Sequence, residues 1–294
     1  MTQFKKGSKE FWIPYLFLLP NLLIFACFVI VPAVQGLAMA CTDWSVFSAP
    51  RFVGLSNFVE LSRDEVFWTT FRNTIVYSVL TVVCLIAVSL LLALLLSKGS
   101  VKGEHGFRAV FYIPSLLSMI TVGIAWRFIL GDEMGVVNYV LRQWGGEGVH
   151  WLTTGNLAMS SIIVVSIWTY AGYYMLIFIS GLQAIPGELY EAARVDGAGP
   201  WYTFRKITLP MLSPTTLVVS ILATISAFKA YELILTMTKG GPGYATKLIV
   251  QQVYESAFLE DRMGYASAMA IVLMLMIGAF TLVQFKISKG DGEQ

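Results

Sequence analysis

The stretch Ile185-Pro-Gly-Glu-Leu-Tyr-Glu-Ala-Ala-Arg-Val-Asp-Gly-Ala198 forms a polar island between two long apolar runs. Proline suits the first turn of a helix, where its missing N–H would have no partner anyway, so Pro186 is a natural starting point. Gly197 stands where a left-handed helix end favours a residue without a Cβ atom. The pattern therefore predicts a short helix that begins at Pro186 and ends at Asp196.

One side of this predicted helix carries two adjacent alanines, whose small side chains would allow another surface to approach closely. The residues on that side follow helical spacing of i, i+3, i+4 and i+7, and they are Leu189, Ala192, Ala193 and Asp196. Glu188 and Glu191 lie one turn apart beside them. Because a helix of about ten residues is marginal alone in water, something must pack on it. Spacing alone leaves open whether that is this chain's own membrane domain or a second protein.

The composition is that of a polytopic membrane protein. Apolar residues make up 56% of the 294 positions and charged residues 13%, against roughly half and a quarter in soluble domains. The net charge of +2 is too small to indicate a nucleic-acid partner. We therefore expect an all-α protein with several membrane helices.

Six apolar segments are long enough to cross a bilayer, which takes about 20 residues per helix. The first segment follows three lysines, as a signal peptide would, but its apolar run is longer than the roughly 7–15 residues of a signal-peptide core. We therefore expect it to remain in the protein as a helix, kinked at Pro20 and Pro32. Pro114 is expected to bend the third or to free a carbonyl in it. The predicted helices cover residues 12–40, 73–96, 107–129, 157–182, 212–238 and 265–285.

The distribution of Lys and Arg predicts the orientation of these helices. With a cytoplasmic N-terminus, eleven of the twenty basic residues fall in inside segments, and seven are spread over the longer outside loops. Short cytoplasmic segments are typically enriched in positive charge. We therefore expect both termini, and the stretch at 185–210, to be cytoplasmic. Arg205 and Lys206 in that stretch are suited to contact lipid headgroups.

The sequence carries no recognisable signature of catalysis or metal binding. Cys27, Cys41 and Cys84 form no CxxC pair, and each of the two histidines stands alone in a loop. There is no GxxxxGK[ST] loop for ATP phosphates and no HExxH or GxSxG motif. We expect no catalytic residue, no metal site and no cofactor bound by this chain.

The spacing E-A-A-x-x-D-G-A at residues 191–198, followed by Phe204, Ile207, Leu209-Pro210 and Pro214, resembles the EAA loop of ABC-importer permeases, and it is unbroken over 24 positions. Further matches lie outside it, namely Asn73-Thr74, Tyr112-Ile-Pro114, Gly240-Gly-Pro-Gly243, Thr246 and Tyr254. Together they resemble the carbohydrate-type (maltose and glycerol-phosphate) permeases of binding-protein-dependent transport over most of the chain.

The resemblance implies a type I ABC importer permease, one transmembrane domain over residues 1–294 with six membrane helices and a cytoplasmic coupling loop at 185–210. Such proteins reside in a bacterial or archaeal inner membrane. The implied partners are a second permease, a dimer of ATPase subunits that binds ATP and Mg, an extracytoplasmic solute-binding protein, and a sugar or sugar-like substrate. ATP hydrolysis then belongs to the partners, and this chain is not an enzyme.

By the same resemblance, the short helix docks on an ATPase subunit. Glu191 is then the charge partner of a basic residue there, and Gly197 allows the turn that carries the chain away. The alanines permit close approach. The coupling residues implied in this way are Glu191, Ala192, Ala193, Asp196 and Gly197.

A sugar path through the spans needs hydroxyls and aromatic faces, because sugars offer hydroxyls for hydrogen bonds and apolar C–H faces for rings. The alternative is that such hydroxyls only pack helices together. Lys229 and Glu232 are opposite charges at i, i+3 in an apolar run, although Lys229 could equally snorkel to the outer interface. The candidate path residues are Phe111, Ser115, Ser166, Thr169, Tyr170, Ser226 and Lys229, with the three on the fourth helix expected on one arc.

Two other classes of protein remain as alternatives. A secondary, ion-coupled transporter ordinarily shows internal repeats and acidic residues within its helices, and Glu232 is the single such acid here. A membrane-embedded enzyme would need a catalytic signature on an apolar helix. Recovery of an ATPase and a second permease with this chain would decide between the classes.

Overall fold

The computed structural model describes residues 9–97 and 103–290, with side chains from 14 to 97 and from 103 to 288. These residues divide into two compact units, one up to Arg63 with Val253–Val272, the other Asp64–Gln252 with the residues from Leu273 onward. Of the lysines used to predict orientation, Lys5, Lys6, Lys98 and Lys102 lie outside the described residues.

The first unit opens with the apolar helix. It consists of α1 (Lys9–Phe25), a π-helical turn (Ala26–Ile30), α2 (Val31–Met39), a hairpin of β1 (Thr42–Asp43) and β2 (Arg51–Phe52), and α3 (Ser56–Arg63). The buried amide of Asn57 donates hydrogen bonds to the carbonyl oxygens of Ala40 at 2.8 Å and Thr42 at 3.0 Å. This side chain therefore fastens α3 to the end of the first apolar helix.

The second unit holds the remaining helices up to the polar loop. They are α4 (Glu65–Leu96), α5 (Glu104–Tyr112) with a 3₁₀ turn (Ile113–Leu116), α6 (Met119–Ile129), α7 (Val136–Gln143), α8 (Gly155–Gln183), α9 (Gly187–Val195), α10 (Pro200–Thr203) with a π-helical turn (Phe204–Thr208), α11 (Leu209–Met211), α12 (Ser213–Phe228) and α13 (Glu232–Met237). Two last helices, α14 (Ile249–Phe258) and α15 (Met263–Gly290), are each divided between the units.

Four described helices are long and apolar enough to cross a membrane unbroken, at Pro14–Met39, Glu65–Leu96, Gly155–Gln183 and Met263–Ser288. Two more candidates are bent pairs, Glu104–Leu116 with Met119–Ile129 at 100° and Pro200–Met211 with Ser213–Phe228 at 64°. The described residues therefore offer four spans, or up to six if each bent pair is one span. The prediction of an all-α membrane protein is confirmed.

The third predicted helix is not continuous over residues 107–129. Leu117 and Ser118 are extended, with ψ of 146° and 135°. Pro114 has no N–H to donate and the chain tightens into the 3₁₀ turn around it, so the helix ends there and restarts in a new direction. The bend expected at Pro114 is thus a complete interruption three residues later.

The fifth predicted helix, 212–238, is interrupted as well. It stops at Phe228, and α13 begins only at Glu232, after Tyr231 with φ −147° and ψ −57°. The interrupting residues contain neither proline nor glycine, so the sequence carries no local helix breaker there. α13 lies against α6, where Gly123 leaves room for Thr236 and any side chain at Gly123 would clash with the threonine hydroxyl.

The kinks at Pro20 and Pro32 stay a prediction, and the structure shows the helical turns around each proline. α1 continues through Pro20 without a break, and the π-helical turn Ala26–Ile30 ends two residues before Pro32. The second π-helical turn, Phe204–Thr208, ends two residues before Pro210 in the same way. A widened turn accommodates a residue that lacks an N–H, since it shifts the hydrogen bonds out of the usual register.

The core of the second unit is the long helix α8, which packs against α4, α5 and α12. Phe178, Met175 and Ile162 are fully buried on it. Two glycines on α8 let neighbouring segments of the same chain come close to this helix. Gly172 lies against the main chain at Phe111, and Gly181 lies against Thr215.

The polar loop between α6 and α8 is organised by one buried amide. Asn138 donates to the carbonyls of Asp132 at 3.0 Å and Val149 at 2.9 Å, and its oxygen accepts from the indole of Trp151 at 3.0 Å. Burial raises the pKa of the nearby Asp132 carboxyl, but hydrogen bonds from Thr153 and His150, with the charge of His150, outweigh burial and lower it below the ordinary value. The loop is therefore held by its own polar groups.

Replacement of Gly172 by alanine should destabilise the protein. Its methyl group would clash with the carbonyl oxygen of Phe111, a main-chain atom that cannot move aside without shifting α5, and we expect a cost of about 2 kcal/mol. Thermal unfolding in detergent measures this. Gly278→Ala is the matched control, because nothing lies within 4 Å of its added atom. Equal melting temperatures for the two variants would contradict the close approach.

Candidate functional site

A cavity of about 250 Å³ lies in the second unit, at mid-length of α8. Four helices and one interruption contribute to it: α4, α6, α8, α12 and the segment that leads into α13. Its polar lining consists of aromatic hydroxyls, aliphatic hydroxyls and two opposite charges, and the residues are Tyr77, Thr81, Ser166, Tyr170, Tyr174, Ser226, Lys229, Tyr231 and Glu232. A small polar ligand could be surrounded here by rings and hydrogen-bonding groups.

Two tyrosines of the cavity differ in what their hydroxyls do. Tyr77 shares a hydrogen bond of 2.8 Å with Ser166, whose hydroxyl also donates to the carbonyl of Ile162 at 2.9 Å. These two side chains are buried and satisfied by each other. Tyr170 is only partly buried, and its hydroxyl has no hydrogen-bond partner among the described residues. Tyr170 is therefore the tyrosine on α8 best able to bind a ligand.

The structure brings together four of the seven predicted path residues, Ser166, Tyr170, Ser226 and Lys229. Thr169 does not line the cavity; it is buried, and its hydroxyl donates to the carbonyl of Val165 at 2.8 Å. Residues 166, 169 and 170 share an arc of about 100° on α8, and the cavity meets only the part of that arc with Ser166 and Tyr170.

Phe111 and Ser115 also lie away from the cavity. The main chain of Phe111 packs on Gly172, and the hydroxyl of Ser115 donates to the carbonyl of Tyr112 at 2.7 Å. Both residues therefore serve the turn around Pro114 and the contact between α5 and α8.

Five polar cavity residues were not predicted as path residues, namely Tyr77, Thr81, Tyr174, Tyr231 and Glu232. Tyr174 follows Tyr170 by four residues, so the i, i+4 rule from Ser166 could have found it. Tyr77 had no such signal, because its position depends on α4 packing beside α8. Glu232 was singled out only as a partner for Lys229.

Lys229 and Glu232 are not one turn apart on a single helix, since the interruption separates them. Lys229 caps the carboxyl end of α12, and Glu232 is the first residue of α13. Cations are stabilised at the carboxyl end of a helix and carboxylates at the amino end. Each charge thus sits at the helix end of opposite partial charge, and the two form no ion pair with each other.

The second feature is the predicted short helix, which the structure shows as α9. The left-handed end expected at Gly197 is present, with φ +72°, and Ala198 donates to the carbonyl of Ala193 at 2.9 Å. Tyr190 points inward and shares a hydrogen bond of 3.2 Å with Thr208. The predicted coupling residues face outward except for Ala193, which is half-buried; those exposed are Glu191, Ala192, Asp196 and Gly197.

Large apolar side chains surround this acidic surface, which the sequence analysis did not note. Val195 is 87% exposed and Trp201 is 71% exposed, and Tyr202 is exposed beside them. Exposed aromatic and large apolar side chains are typical of a protein-binding surface. We call Glu191, Ala192, Val195, Asp196 and Trp201 the α9 surface.

Most of the remaining sequence motifs contribute to one loop that hydrogen bonds hold in place. Asn73 on α4 donates to the carbonyl oxygens of Tyr244 at 2.7 Å and Lys247 at 3.2 Å, and Thr74 accepts from the main-chain N–H of Ile249 at 3.0 Å. Thr246 donates to the carbonyl of Gly241 at 2.8 Å. The Asn-Thr pair therefore fixes the glycine-rich loop to α4.

Within residues 9–97 and 103–290, no group of three or more His, Cys, Asp or Glu side chains could hold a metal ion. The cavity and the α9 surface are accordingly the two candidate binding sites. One suits a small polar ligand within a membrane span, and the other suits a protein.

Comparison with known proteins gives both features a context. The Probable ABC transporter permease protein YurN of Bacillus subtilis is 38% identical over 286 residues, 96% of this chain and 98% of that protein. The Arabinooligosaccharides transport system permease protein AraP of Bacillus subtilis is 34% identical over 95% of this chain and 90% of that protein.

A solved structure is similar over nearly the whole chain. One chain of a bacterial alginate ABC transporter, crystallised in complex with an alginate pentasaccharide-bound periplasmic protein, superposes with a TM-score of 0.84 at 27% identity, covering 95% of each chain.

A family model described as the binding-protein-dependent transport system inner membrane component matches residues 86–289, which include the cavity-lining parts of α8 and α12 and all of the α9 surface. Together with the full-length relatives, this match shows that the chain belongs to the family of binding-protein-dependent transport system inner membrane components.

Proposed function

We propose that this chain is the permease subunit of an ABC importer that moves a sugar or sugar-like solute along a path formed with a second permease. The observation that carries the proposal is the cavity at mid-length of α8, which joins the ring and free hydroxyl of Tyr170 to other tyrosines and serines. Sugars present hydroxyls for hydrogen bonds and C–H faces for aromatic rings, so this lining matches their chemistry.

The relatives support the same substrate class. AraP is described as a permease for arabinooligosaccharides, and a similar solved structure belongs to a transporter for the acidic polysaccharide alginate. The revised path residues are Ser166, Tyr170, Ser226 and Lys229 from the sequence prediction, with Tyr77, Tyr174 and Glu232 added from the cavity.

The energy is proposed to come from a dimer of partner ATPase subunits that binds ATP and Mg. The α9 surface supplies the dock, with Glu191 facing a basic residue and Ala192 allowing close approach. ATP binding would move α9 and switch the path between outward and inward access. Support comes from the exposure of Val195 and Trp201, which leaves apolar area that a partner would cover.

The path is completed by two further partners, a second permease and an extracytoplasmic solute-binding protein. The solved alginate transporter with its periplasmic protein supports the latter. With the α9 surface in the cytoplasm, both chain termini lie there too, and the membrane is a bacterial or archaeal inner membrane. Arg205 is exposed near the ends of α12 and α15, where a lipid headgroup can reach it.

A secondary transporter is the second candidate function, and one observation favours it. Glu232 lines the cavity at mid-length of α8, which is a candidate membrane span, and ion-coupled carriers use carboxylates in such places. The α9 surface has no role in that candidate, whereas the proposed importer uses both features.

The coupling role predicts that Glu191→Ala should lower transport and substrate-stimulated ATPase activity roughly tenfold, as the loss of a central interface charge does. Gly197→Val should act in the same direction, because a β-branched side chain at φ +72° costs about 1–2 kcal/mol and distorts the end of α9. Both activities are measured in proteoliposomes that contain the whole complex.

Matched controls separate coupling from misfolding. Glu147→Ala removes a charge from an exposed loop, and Gly187→Val adds the same side chain to α9 at a position with nothing within 4 Å and an ordinary φ. Both controls should keep their activity. Unchanged uptake in Glu191→Ala and Gly197→Val would remove α9 from the coupling mechanism.

The substrate role of Tyr170 predicts a loss that depends on the sugar. If its free hydroxyl binds substrate, Tyr170→Phe should weaken uptake about fivefold for a sugar that bonds to it, equivalent to one hydrogen bond of about 1 kcal/mol, and less for a sugar that lacks the matching hydroxyl. Uptake of the two sugars is normalised to ATPase activity. Tyr173→Phe is the control, since Tyr173 does not line the cavity. An equal loss for both sugars would make Tyr170 a packing residue.

A further inference from the structure

We infer that the cavity selects an uncharged saccharide over an anionic one, and that Lys229 and Glu232 together set this choice. The inference rests on the proposed function, because it concerns the substrate of the same cavity. It narrows the proposed class, which otherwise includes neutral sugars, sugar acids and sugar phosphates.

The first step is the charge of the lining. Lys229 and Glu232 are its one cation and one anion, and the other polar groups are hydroxyls of tyrosine, serine and threonine. One positive and one negative side chain leave this chain's share of the lining with no net charge. A phosphate or carboxylate ligand ordinarily needs a surplus of basic donors, for which paired arginines or lysines are typical.

The second step is the position of the two charges. The carboxyl end of α12 brings partial negative charge to the cavity, and Lys229 caps that end. Glu232 is the first residue of α13, where the first main-chain N–H groups have no partner within the helix. The charges of the interrupted helix are therefore balanced locally, and this chain contributes no surplus positive charge to an anion.

The third step is that both groups remain accessible. The residues Lys229 and Glu232 are exposed in this chain, and neither forms an ion pair with another described residue. An entering anion would gain from Lys229 and lose to Glu232, whereas a neutral sugar can bond to both. In a protein environment with an effective dielectric near 20, a unit charge about 10 Å away changes the affinity for an ion roughly tenfold.

The experiment measures binding to the purified complex of this chain with its partner permease and ATPase subunits. The solute-binding protein is left out, so that only the complex itself discriminates between the sugars. Equilibrium dialysis with labelled maltose, xylobiose and galactobiose, and with the matching uronic acid of each, gives the ratio of the two affinities within every pair. Wild-type complex should bind the uncharged member of a pair at least about tenfold more tightly.

Variants then test the two residues. Glu232→Gln leaves the lining with one net positive charge and should shift the ratio roughly tenfold toward the uronic acid, and Lys229→Gln should shift it the other way. The double variant restores neutrality and should return the ratio to the wild-type value, which a purely structural role would not produce. Glu147→Gln removes a charge outside the cavity and should leave the ratio unchanged.

Two outcomes overturn the inference while the proposed function stands. One is tighter binding of the uronic acids by the wild-type complex. The other is an unchanged ratio in an assembled Glu232→Gln complex. Absence of binding for every probe would overturn the proposed saccharide function, and the inference with it. If the variants fail to assemble, the wild-type ratio alone decides.

Discussion

A membrane offers no water to main-chain N–H and C=O groups. A helix can therefore stop inside it only where other parts of the protein or a water-filled cavity provide hydrogen-bond partners for these groups. This constraint governs the two interruptions, at Leu117-Ser118 and at Lys229–Tyr231 (residues 229–231). The short helices that follow them, α6 and α13, pack on each other at Gly123 and Thr236. The second interruption lines the cavity. The residues at this interruption therefore also supply the charged groups of the cavity.

The cavity and the α9 surface are joined through continuous chain. α8 carries Ser166, Tyr170 and Tyr174 at mid-length and leads into α9 within a few residues of Gln183. After the loop the chain returns as α12, which reaches the cavity again at Ser226. The two helices that flank the loop with the α9 surface are thus two of those that form the cavity. A displacement of α9 would act on both, which is the connection that the proposed coupling requires.

Much of this arrangement could be predicted from the sequence, because apolar length and local turn chemistry are local properties. The apolar segments, the short helix and the left-handed end at Gly197 follow from them. The interruption at residues 229–231 does not, since Lys-Ala-Tyr contains no helix breaker and α13 packs on α6, which is distant in sequence. The pairing of Tyr77 with Ser166 depends in the same way on how α4 packs beside α8. The hydroxyls and the lysine within apolar runs could be found from the sequence, whereas the residues that packing between helices brings to them could not.

The most direct test of the central claim is the energy source of uptake in proteoliposomes that contain the complete complex and its solute-binding protein. Labelled maltose, xylobiose and galactobiose serve as substrates, with ATP present or absent and with ion gradients intact or collapsed by ionophores. The account predicts that uptake requires ATP, survives collapse of the gradients, and stops when ATP hydrolysis is blocked with vanadate. Uptake that proceeds without ATP and disappears when the gradients are collapsed would contradict it and would make the chain an ion-coupled transporter.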